Sequence, residues 1–512
     1  MQSPEVEVPV AAPRNWKTII TLTGVALGIF MGALENTVVG TAMPTVIATL
    51  GGIEIYSWVF AVYILAATVM TPVWGKMADL IGRRPAFFGG LAVFILGSAL
   101  SGAARSMPQL IIFRTLQGLG AAALFPVGMT IVADLLTLEK RAKVVGLFSG
   151  MWGVASMFGP LVGGYLTDSP YFGWRWVFYI NLPFGLASAA MVWATYAERW
   201  EKRGKISLDF AGALVLSALL TLLLFVVEKG PEQGSLVAAL EVAACVGLLA
   251  LFIRIERRSP EPLIPLDLFD NRMVATSTLH GLFGGMALLG TMAFLPLFVQ
   301  AVMGTSATAA GSILTPFILS WVFCSILASR LLLRFGYRPL VLVGMGLMIV
   351  GSALLAQVST ATTKGQLIIA VIVLGMGGGL TFVVLMIAVQ HAVARAQLGV
   401  ATSALQFSRS IGAAIGTGAM GSLMTWWLGR RLATGNEEVL RLTGGHADIS
   451  AIVLGSSRAA LSPEASAFLR QALAGSLRLA FVFVLASTLA GAVVAFFIPA
   501  GRAQDLAHPE HR

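Results

Sequence analysis

Residues Gly75 to Pro85 read G-K-M-A-D-L-I-G-R-R-P, a charged segment that separates two long apolar stretches. Only 11% of the 512 residues are charged, yet this segment places an acid and three basic residues within eleven positions. Charge of this kind is expected where a chain leaves an apolar environment for water. The segment is therefore interpreted as a loop between two long apolar helices.

The composition identifies the environment of those helices. Hydrophobic residues make up 57% of the sequence, and the mean hydropathy is +0.85. The charged fraction is less than half of the roughly 25% found in soluble domains. Apolar stretches of about 20 residues recur, which matches the hydrocarbon core of a bilayer. Because that core holds no water, each stretch must be a helix, and the fold class is an all-α polytopic membrane protein.

The apolar stretches number fourteen, and turn or charged residues separate them. We predict transmembrane helices near residues 16–40, 55–75, 86–104, 108–133, 143–166, 175–197, 207–227, 235–253, 273–300, 309–331, 338–358, 366–389, 399–426 and 474–498.

Basic residues in the short connections indicate the orientation, because cytoplasmic loops carry an excess of Lys and Arg. One set of connections holds most of the cations, namely Lys76, Arg83, Arg84, Lys140, Arg141, Lys143, Arg199, Lys202, Arg203, Lys205, Arg254, Arg257, Arg258, Arg272, Arg334 and Arg338. The opposite short connections hold only Arg105, Arg175, Lys229 and Lys364. The first side is predicted to be cytoplasmic, and an even helix count then places both termini there.

Several other functions are disfavoured by composition. Residues 1–14 lack a basic region followed by a cleavable apolar segment, so no signal peptide is expected. Cys245 and Cys324 both fall within apolar stretches, so no disulfide framework is expected. The net charge of +10 comes from cations at helix ends, which favours membrane orientation over nucleic-acid binding.

A fainter copy of the opening segment occurs in the second half of the chain. Residues Ser329 to Pro339 read S-R-L-L-L-R-F-G-Y-R-P, in which Gly336 aligns with Gly82 and the acid has become Leu333. Six predicted spans surround each copy, which leaves the seventh and eighth helices as an inserted pair. Parallel six-helix repeats place a binding site between the halves near the middle of the membrane.

The repeat predicts two six-helix bundles and an insertion between them. The N-terminal bundle is expected over 1–200, the inserted pair over 201–260, and the C-terminal bundle over 261–512 with a long outer loop at 429–473. Within that loop, Ser462, Pro463 and Glu464 form a helix-start pattern, so a short surface helix is expected there. Docking of an extracytoplasmic partner on this loop is the functional alternative.

The Gly75–Pro85 segment resembles the signature between the second and third transmembrane helices of major facilitator superfamily transporters. Four further stretches resemble the fourteen-helix drug:proton antiporter branch of that family, which includes quinolone, quaternary-ammonium and uncoupler efflux pumps. They are Leu34–Pro44, Arg114–Gly120, Gly159–Gly164 and Trp174–Gly185. Two positions depart from the branch pattern, because Glu35 stands where an Asp is usual and Ala155 where a glycine is usual. The resemblance implies proton-coupled export by alternating access.

Charges inside the predicted spans are the strongest candidates for function, because a charge at the bilayer centre costs roughly 2.5–3.5 kcal/mol. Glu35 is the only carboxylate placed well inside a predicted core helix. Held between desolvation and a nearby cation, it could exchange protons and attract a cationic substrate. Arg114 stays protonated and could tune Glu35, which makes both residues candidates for proton coupling. A static ion pair is the alternative.

The predicted substrate cavity includes residues from both halves: Glu35, Asn36, Gln117, His280 and Arg409. Gln117 lies three residues after Arg114 and so shares its helix face. For Arg409 the alternative is a packing role, and for His280 it is an ordinary hydrogen-bonded histidine.

A conformational latch is predicted at the cytoplasmic ends of the first bundle. Its residues are Gly75, Asp79, Gly82, Arg83, Arg84 and Asp134. Such a cluster biases a conformational equilibrium only if its contacts differ between the two states. A plain orientation signal is the alternative, since the cations alone would retain this segment inside.

The fifth helix carries the pattern that resembles the antiporter motif. Pro160 lacks an amide donor, so a bend is expected at Gly159-Pro160, while Gly163 and Gly164 permit another backbone close by. The bend could seal the cavity against leakage, or it could be an ordinary packing kink.

The function expected from these features is that of a proton-coupled multidrug exporter in a bacterial cytoplasmic (inner) membrane. Its partners would be amphipathic, often cationic molecules, protons and the bilayer, with no cofactor, no metal and no nucleic acid. A monomer is expected, and a periplasmic adaptor is an open alternative. The rival functions are export of one metabolite or lipid and a transporter-like sensor or scaffold. No H-E-x-x-H motif and no P-loop occurs in the sequence, so the chain is not expected to be an enzyme.

Overall fold

The computed structural model describes residues 16–136, 144, 151, 154–155, 158–198, 210–229, 235–259, 262–394, 397–433 and 462–500. The regular elements in these ranges are helices. They are α1 (Trp16–Leu50), α2 (Trp58–Ile81), α3 (Arg83–Ala103), α4 (Met107–Leu135), α5 (158–168), α6 (Trp176–Tyr179), α7 (Asn181–Thr195), α8 (Phe210–Lys229), α9 (Ser235–Glu256), α10 (Arg272–Leu297), α11 (Ala307–Phe335), α12 (Tyr337–Leu355), α13 (Lys364–Ala392), α14 (Leu398–Ala433) and α15 (Pro463–Ala495).

The described residues contain 11 helical segments that are long and apolar enough to cross a membrane. They correspond to every predicted span except the fifth, the seventh and the thirteenth. Of these, α5 is described only over 158–168, α8 contributes the shorter apolar helix Ala211–Val227, and α14 is long but less apolar. The all-helical membrane class is confirmed, and the count of fourteen spans stays a prediction.

The Gly75–Pro85 segment is not the loop that its charge suggested. Helix α2 continues to Ile81 and α3 begins at Arg83, so Gly82 alone connects them. Gly82 has φ 98°, in the left-handed region that glycine adopts most readily. The prediction of a loop was wrong because both helices extend beyond their apolar stretches, so their charged terminal turns are still helical.

The second copy of the segment is built in the same way. Helices α11 and α12 are joined by Gly336 alone, which has φ 81°. A one-residue connection needs this backbone conformation to reverse the chain, which explains why glycine survives in both copies while the acid does not. The repeat seen in the sequence therefore corresponds to a repeated backbone construction.

The prediction of a short surface helix after Ser462 was half right. Ser462 caps a helix, because its hydroxyl oxygen accepts a hydrogen bond from the Ala465 amide at 3.2 Å. The helix does not stop at the surface, however, and runs without a break to Ala495 as α15. Separating it from the last span was wrong, because residues between 465 and 473 are apolar enough to pack in the core. Residues 434–461 of the predicted outer loop lie outside the described residues.

Each half of the chain packs around its own set of helices. In the first half, α4 packs against α3 and α2, and α1 packs against α7. In the second half, α13 packs against α11 and α12, while α10 packs against α14 and α15. One buried apolar cluster contains residues from both halves, such as Val39 and Phe294, so the halves share a core.

The inserted pair lies beside the two halves rather than between them. Helix α8 places Leu216 and Leu220 against Leu65 of α2 and Ala414 of α14. Helix α9 follows α8, and only 11% of its most apolar stretch is buried. The division of the chain at 201–260 stays a prediction.

Candidate functional site

A buried ion pair joins α1 to α4. Arg114 Nη1 contacts Glu35 Oε1, and the two residues are only 2% and 1% exposed. Helix α1 carries Glu35 past the middle of its length, and α4 brings Arg114 alongside. A charge this deep needs a partner because the bilayer core cannot solvate it. The structure therefore brings together the two residues predicted to couple protons.

The pair belongs to a larger polar network. Asn181 Nδ2 donates to Glu35 Oε2 at 2.6 Å, and Arg114 Nη1 donates to Gln117 Oε1 at 2.7 Å. Ser98 Oγ accepts from Gln117 Nε2 at 3.1 Å and from Asn181 Nδ2 at 3.0 Å, which closes the ring of contacts. Four helices, α1, α3, α4 and α7, supply these side chains.

Sequence reasoning overlooked two members of this network. Asn181 lies in the Trp174–Gly185 stretch that matches the antiporter pattern, so the signal was present but no role was assigned. Ser98 gave no signal, because an isolated serine in an apolar stretch usually bonds to the backbone of its own helix. Only packing shows that its hydroxyl serves two side chains.

Aromatic rings cover the guanidinium group of Arg114. Its carbon Cζ lies 4.1 Å from the ring centre of Tyr63 and 5.8 Å from that of Phe178. Attraction between a guanidinium and a ring face strengthens when both are removed from water. Arg114 Nε also donates to the Val59 carbonyl at 3.4 Å. These contacts hold Arg114 in place independently of Glu35.

A small cavity of about 30 Å³ lies between the two halves beside this network. Glu35 and Arg114 are its charged lining residues. Most of the lining is apolar, and it comes from α1, α2, α10 and α11. These residues include Val39, Phe60, Ile64, Leu289, Met292 and Leu314. An apolar cavity with one charged corner suits amphipathic ligands.

The other residues predicted to line the cavity lie elsewhere or are not described. Nothing is described of the Asn36 side chain. Gln117 is fully buried behind Arg114, outside the lining. His280 and Arg409 are also outside it: His280 Nε2 lies 3.1 Å from Met345 Sδ, and Arg409 Nη2 donates to the Phe382 carbonyl at 2.9 Å.

Polar contacts between the halves occur at the end that holds the α1–α2 connection. Asp168, which ends α5, accepts hydrogen bonds from the first two amides of α11, at 3.1 Å from Ala307 and 2.7 Å from Thr308. Gln300 Nε2 donates to the Thr41 carbonyl at 2.9 Å. By the predicted orientation this is the outer end.

The glycines of the predicted antiporter motif permit close crossings. A Cβ atom at Gly159 would lie 1.9 Å from Thr37 Oγ1, and one at Gly164 would lie 2.6 Å from the α-carbon of Thr308. Gly163 similarly faces Val38 of α1. Residues 158–168, which include the predicted bend at Gly159-Pro160, are helical. Residues 156–157 lie outside the described residues, and the bend stays a prediction.

The predicted latch is partly assembled. Arg83 Nη1 forms an ion pair with Asp134 Oδ1, which joins the start of α3 to the end of α4. The Tyr196 hydroxyl donates to Asp134 Oδ2 at 2.8 Å. Burial, reinforced by the Glu198 carboxylate, raises the pKa of Tyr196 to about 12, so the phenol remains a donor at neutral pH. All these contacts lie within the first half.

A residue missing from the prediction anchors the other side of the latch. Glu198 accepts hydrogen bonds from the amides of Arg83 at 2.5 Å and Arg84 at 3.1 Å. These amides begin α3, where an acidic group is favoured by the helix dipole. The Arg84 guanidinium stacks on Trp193 at 4.5 Å and donates to its carbonyl.

The remaining latch positions are Asp79, Gly82 and Gly75. Nothing is described of the Asp79 side chain. A Cβ atom at Gly82 would lie 2.8 Å from Glu198 Oε2, so both backbone and space favour glycine there. A Cβ atom at Gly75 would meet nothing within 4 Å, so packing gives no reason for a glycine at Gly75.

Replacing Asp134 by Asn is expected to shift the balance between the inward- and outward-open states by up to about fivefold. Exposed ion pairs contribute about 0.2–1 kcal/mol, and this pair is partly exposed, at 24% for Arg83 and 30% for Asp134. Spin-label distances between the ends of α3 and α11 would measure the populations. Unchanged populations would reduce the cluster to an orientation signal.

Comparisons with known proteins agree with this architecture. The family model described as Major Facilitator Superfamily matches residues 25–417. The chain is 36% identical over 415 residues to the multidrug transporter protein MdtP of Bacillus subtilis (strain 168), covering 80% of this chain and 76% of that protein. It is also 36% identical over 416 residues to multidrug resistance protein 3 of the same organism, covering 80% of each.

The fold is similar to that of a solved transporter. A bacterial homolog of the human lysosomal transporter Spinster, in an inward-facing and occupied conformation, superposes with a TM-score of 0.69. The match covers 95% of this chain and 98% of that one at 16% identity, so it bears on the fold alone. With the family match over most of the chain, the conclusion is that this protein is a membrane transporter that belongs to the Major Facilitator Superfamily.

Proposed function

We propose that this transporter is a proton-coupled multidrug exporter that works by alternating access. The observation that carries the proposal is the Glu35 carboxylate, buried in a polar network and facing the space between the two halves. The names of the two Bacillus relatives support the export of multiple drugs. Bacterial relatives also support the cytoplasmic membrane as its location.

Glu35 is the proposed proton carrier, and Arg114 is its regulator. When Glu35 binds a proton at a carboxylate oxygen, its charge is lost and its attraction for Arg114 weakens. Arg114 keeps its own proton, because a guanidinium is not deprotonated in proteins. It stays in place through Tyr63 and Gln117 and is then ready to receive the carboxylate again.

A cationic substrate would compete with the proton for the same carboxylate. The substrate's apolar part would rest on the lining of this small cavity as it widens, and Met292 can adapt there to different shapes. Export then requires the outer contacts of Asp168 and Gln300 to break while the opposite end closes. Because ligand and proton bind the two states differently, each can shift the equilibrium.

The remaining features follow from the sequence and complete the proposal. There are fourteen spans in two six-helix bundles and an inserted pair, with both termini in the cytoplasm. The proton gradient supplies the energy without a cofactor, and the protein acts as a monomer. A periplasmic adaptor is compatible with this arrangement.

Binding of a cation should release protons from the purified protein. We expect tetraphenylphosphonium, added to unbuffered detergent-solubilised protein, to release up to about one proton for each ion bound, because Glu35 is the one carboxylate among the described residues that line the cavity. A pH-sensitive dye would record the release, and equilibrium dialysis would record binding. Glu35→Gln is the matched control and should release none. Binding without release by the wild-type protein would contradict direct competition.

A further inference from the structure

A second charged group lies deep in the other half of the molecule, outside the proton network. Helix α14 crosses α10 so closely that a Cβ atom at Gly285 would lie 2.1 Å from the Arg409 carbonyl oxygen. This crossing directs the Arg409 side chain past Gly281 toward α13. There its guanidinium carbon lies 4.2 Å from the ring centre of Phe382.

The hydrogen-bonding capacity of Arg409 is mostly unused. A guanidinium has five N–H donors. Nη2 donates to the Phe382 carbonyl, whereas Nε is buried and has no partner among the described residues. His280 precedes Gly281 in α10, and its buried Nδ1 also lacks a partner within that part of the chain. Buried polar atoms are normally bonded, so these two atoms are left with unsatisfied hydrogen-bonding capacity.

The second half offers no carboxylate that could be this acceptor. No Asp or Glu occurs between Asp270 and Glu437 in the sequence. Every helix from α10 to α14 lies within that interval. Because a charge inside the membrane usually has a partner or a task, the counter-ion of Arg409 must come from outside these helices.

A row of aromatic rings connects Arg409 to the central space. Leu314 lines the space, and Phe317 lies one turn further along α11. The ring centre of Phe317 is 5.7 Å from that of Trp321, which is 5.0 Å from that of Phe382. Glycines of α13 and α10 leave room for these rings, since a Cβ atom at Gly378 or Gly284 would touch Trp321 or Phe382.

We propose that Arg409 and the Phe317–Trp321–Phe382 row form a second half-site, which binds the carboxylate of an aromatic substrate. The inference rests on the proposed exporter function and specifies its cargo as including zwitterionic aromatic molecules. The half-buried rings of Trp321 and Phe382 would stack on the planar part of the substrate, and the guanidinium would pair with its carboxylate. The buried Phe317 ring would support Trp321 from the core. A cationic group on the same substrate would face Glu35 in the other half.

A matched pair of dyes tests the half-site. The zwitterionic free acid of a rhodamine and its ethyl ester differ only in the carboxylate. In fluorescence polarisation with the purified protein, Arg409→Met should raise the Kd of the acid about tenfold, the effect of losing one charge-assisted contact. The Kd of the ester should stay within about twofold. Arg409→Lys keeps the charge but not the planar fork, so it should lose less affinity for the acid.

Two controls separate this half-site from packing and from the exporter function. Arg334→Met removes an exposed cation from the same half and should leave both Kd values unchanged. Equal weakening of both dyes by Arg409→Met, or no weakening of either, would overturn the half-site. In either case, loss of ester binding in Glu35→Gln would still support the exporter function. If the wild-type protein bound neither dye, the exporter function would fall as well.

Discussion

Glu35→Gln is expected to reduce proton-driven export to the level of protein-free vesicles, while the protein stays folded. Glutamine keeps the size of the side chain and one of its two accepted hydrogen bonds, since its single oxygen can accept from either Arg114 or Asn181. It cannot bind or release a proton, so an imposed pH gradient can no longer drive transport through the cavity. Accumulation of a cationic dye in proteoliposomes measures the coupling, and counterflow without a gradient measures whether the variant still moves.

The same substitution elsewhere provides the control. Glu54 is an exposed acid in the connection between α1 and α2, and Glu54→Gln should transport at the wild-type rate. Susceptibility profiling of an efflux-deficient host would extend the test to many compounds. Full gradient-driven export by Glu35→Gln would remove Glu35 from the coupling mechanism and return the ion pair to a static role.

Arg114→Met is expected to destabilise the protein more than any other substitution considered for this site. Removing one partner of a buried ion pair typically costs about 3–5 kcal/mol, because the remaining charge has no counter-ion. Here the variant would leave Glu35, which is 1% exposed, with Asn181 as its nearest polar support. Thermal unfolding in detergent should show a clearly lower midpoint, and transport should be lost.

A double variant separates the charge from the packing of Arg114. If the unpaired carboxylate causes the loss, Glu35→Gln should restore most of the stability of Arg114→Met without restoring transport. If the guanidinium acts mainly through its stacking on Tyr63, the double variant should remain as unstable as the single one. The coupling energy between the two sites can be read directly from such a cycle.

The general plan of the fold could be predicted from the sequence because the bilayer leaves few alternatives. Stretches of about 20 apolar residues must be helices, and most predicted spans lie within a few residues of the observed ones. The ends of the helices differ more from the prediction. Helix α1 continues through Pro44 to Leu50, and α15 begins eleven residues before its predicted start at 474. Apolarity marks the part of a helix inside the membrane, and it does not mark where hydrogen bonding ends.

The candidate site was only partly accessible to the same reasoning. Glu35 and Arg114 were conspicuous because charges are rare in apolar stretches, and the structure brings them together. Ser98 and Glu198 were not, because a serine or a terminal acid is unremarkable until a neighbouring helix supplies its partner. Their contacts come from elements 83 and 115 residues away in the sequence.

Sequence by itself therefore determined the class of protein, the repeat and the charged residues that need an explanation. These depend on composition and on short-range patterns, because each apolar stretch must form a helix in the bilayer independently of the others. The tertiary structure decided which charge meets which partner: Arg114 has a carboxylate, whereas Arg409 has a ring and a carbonyl. It also decided that the first-half charges face a shared space, because the packing of helices from distant parts of the chain sets the surroundings of each side chain.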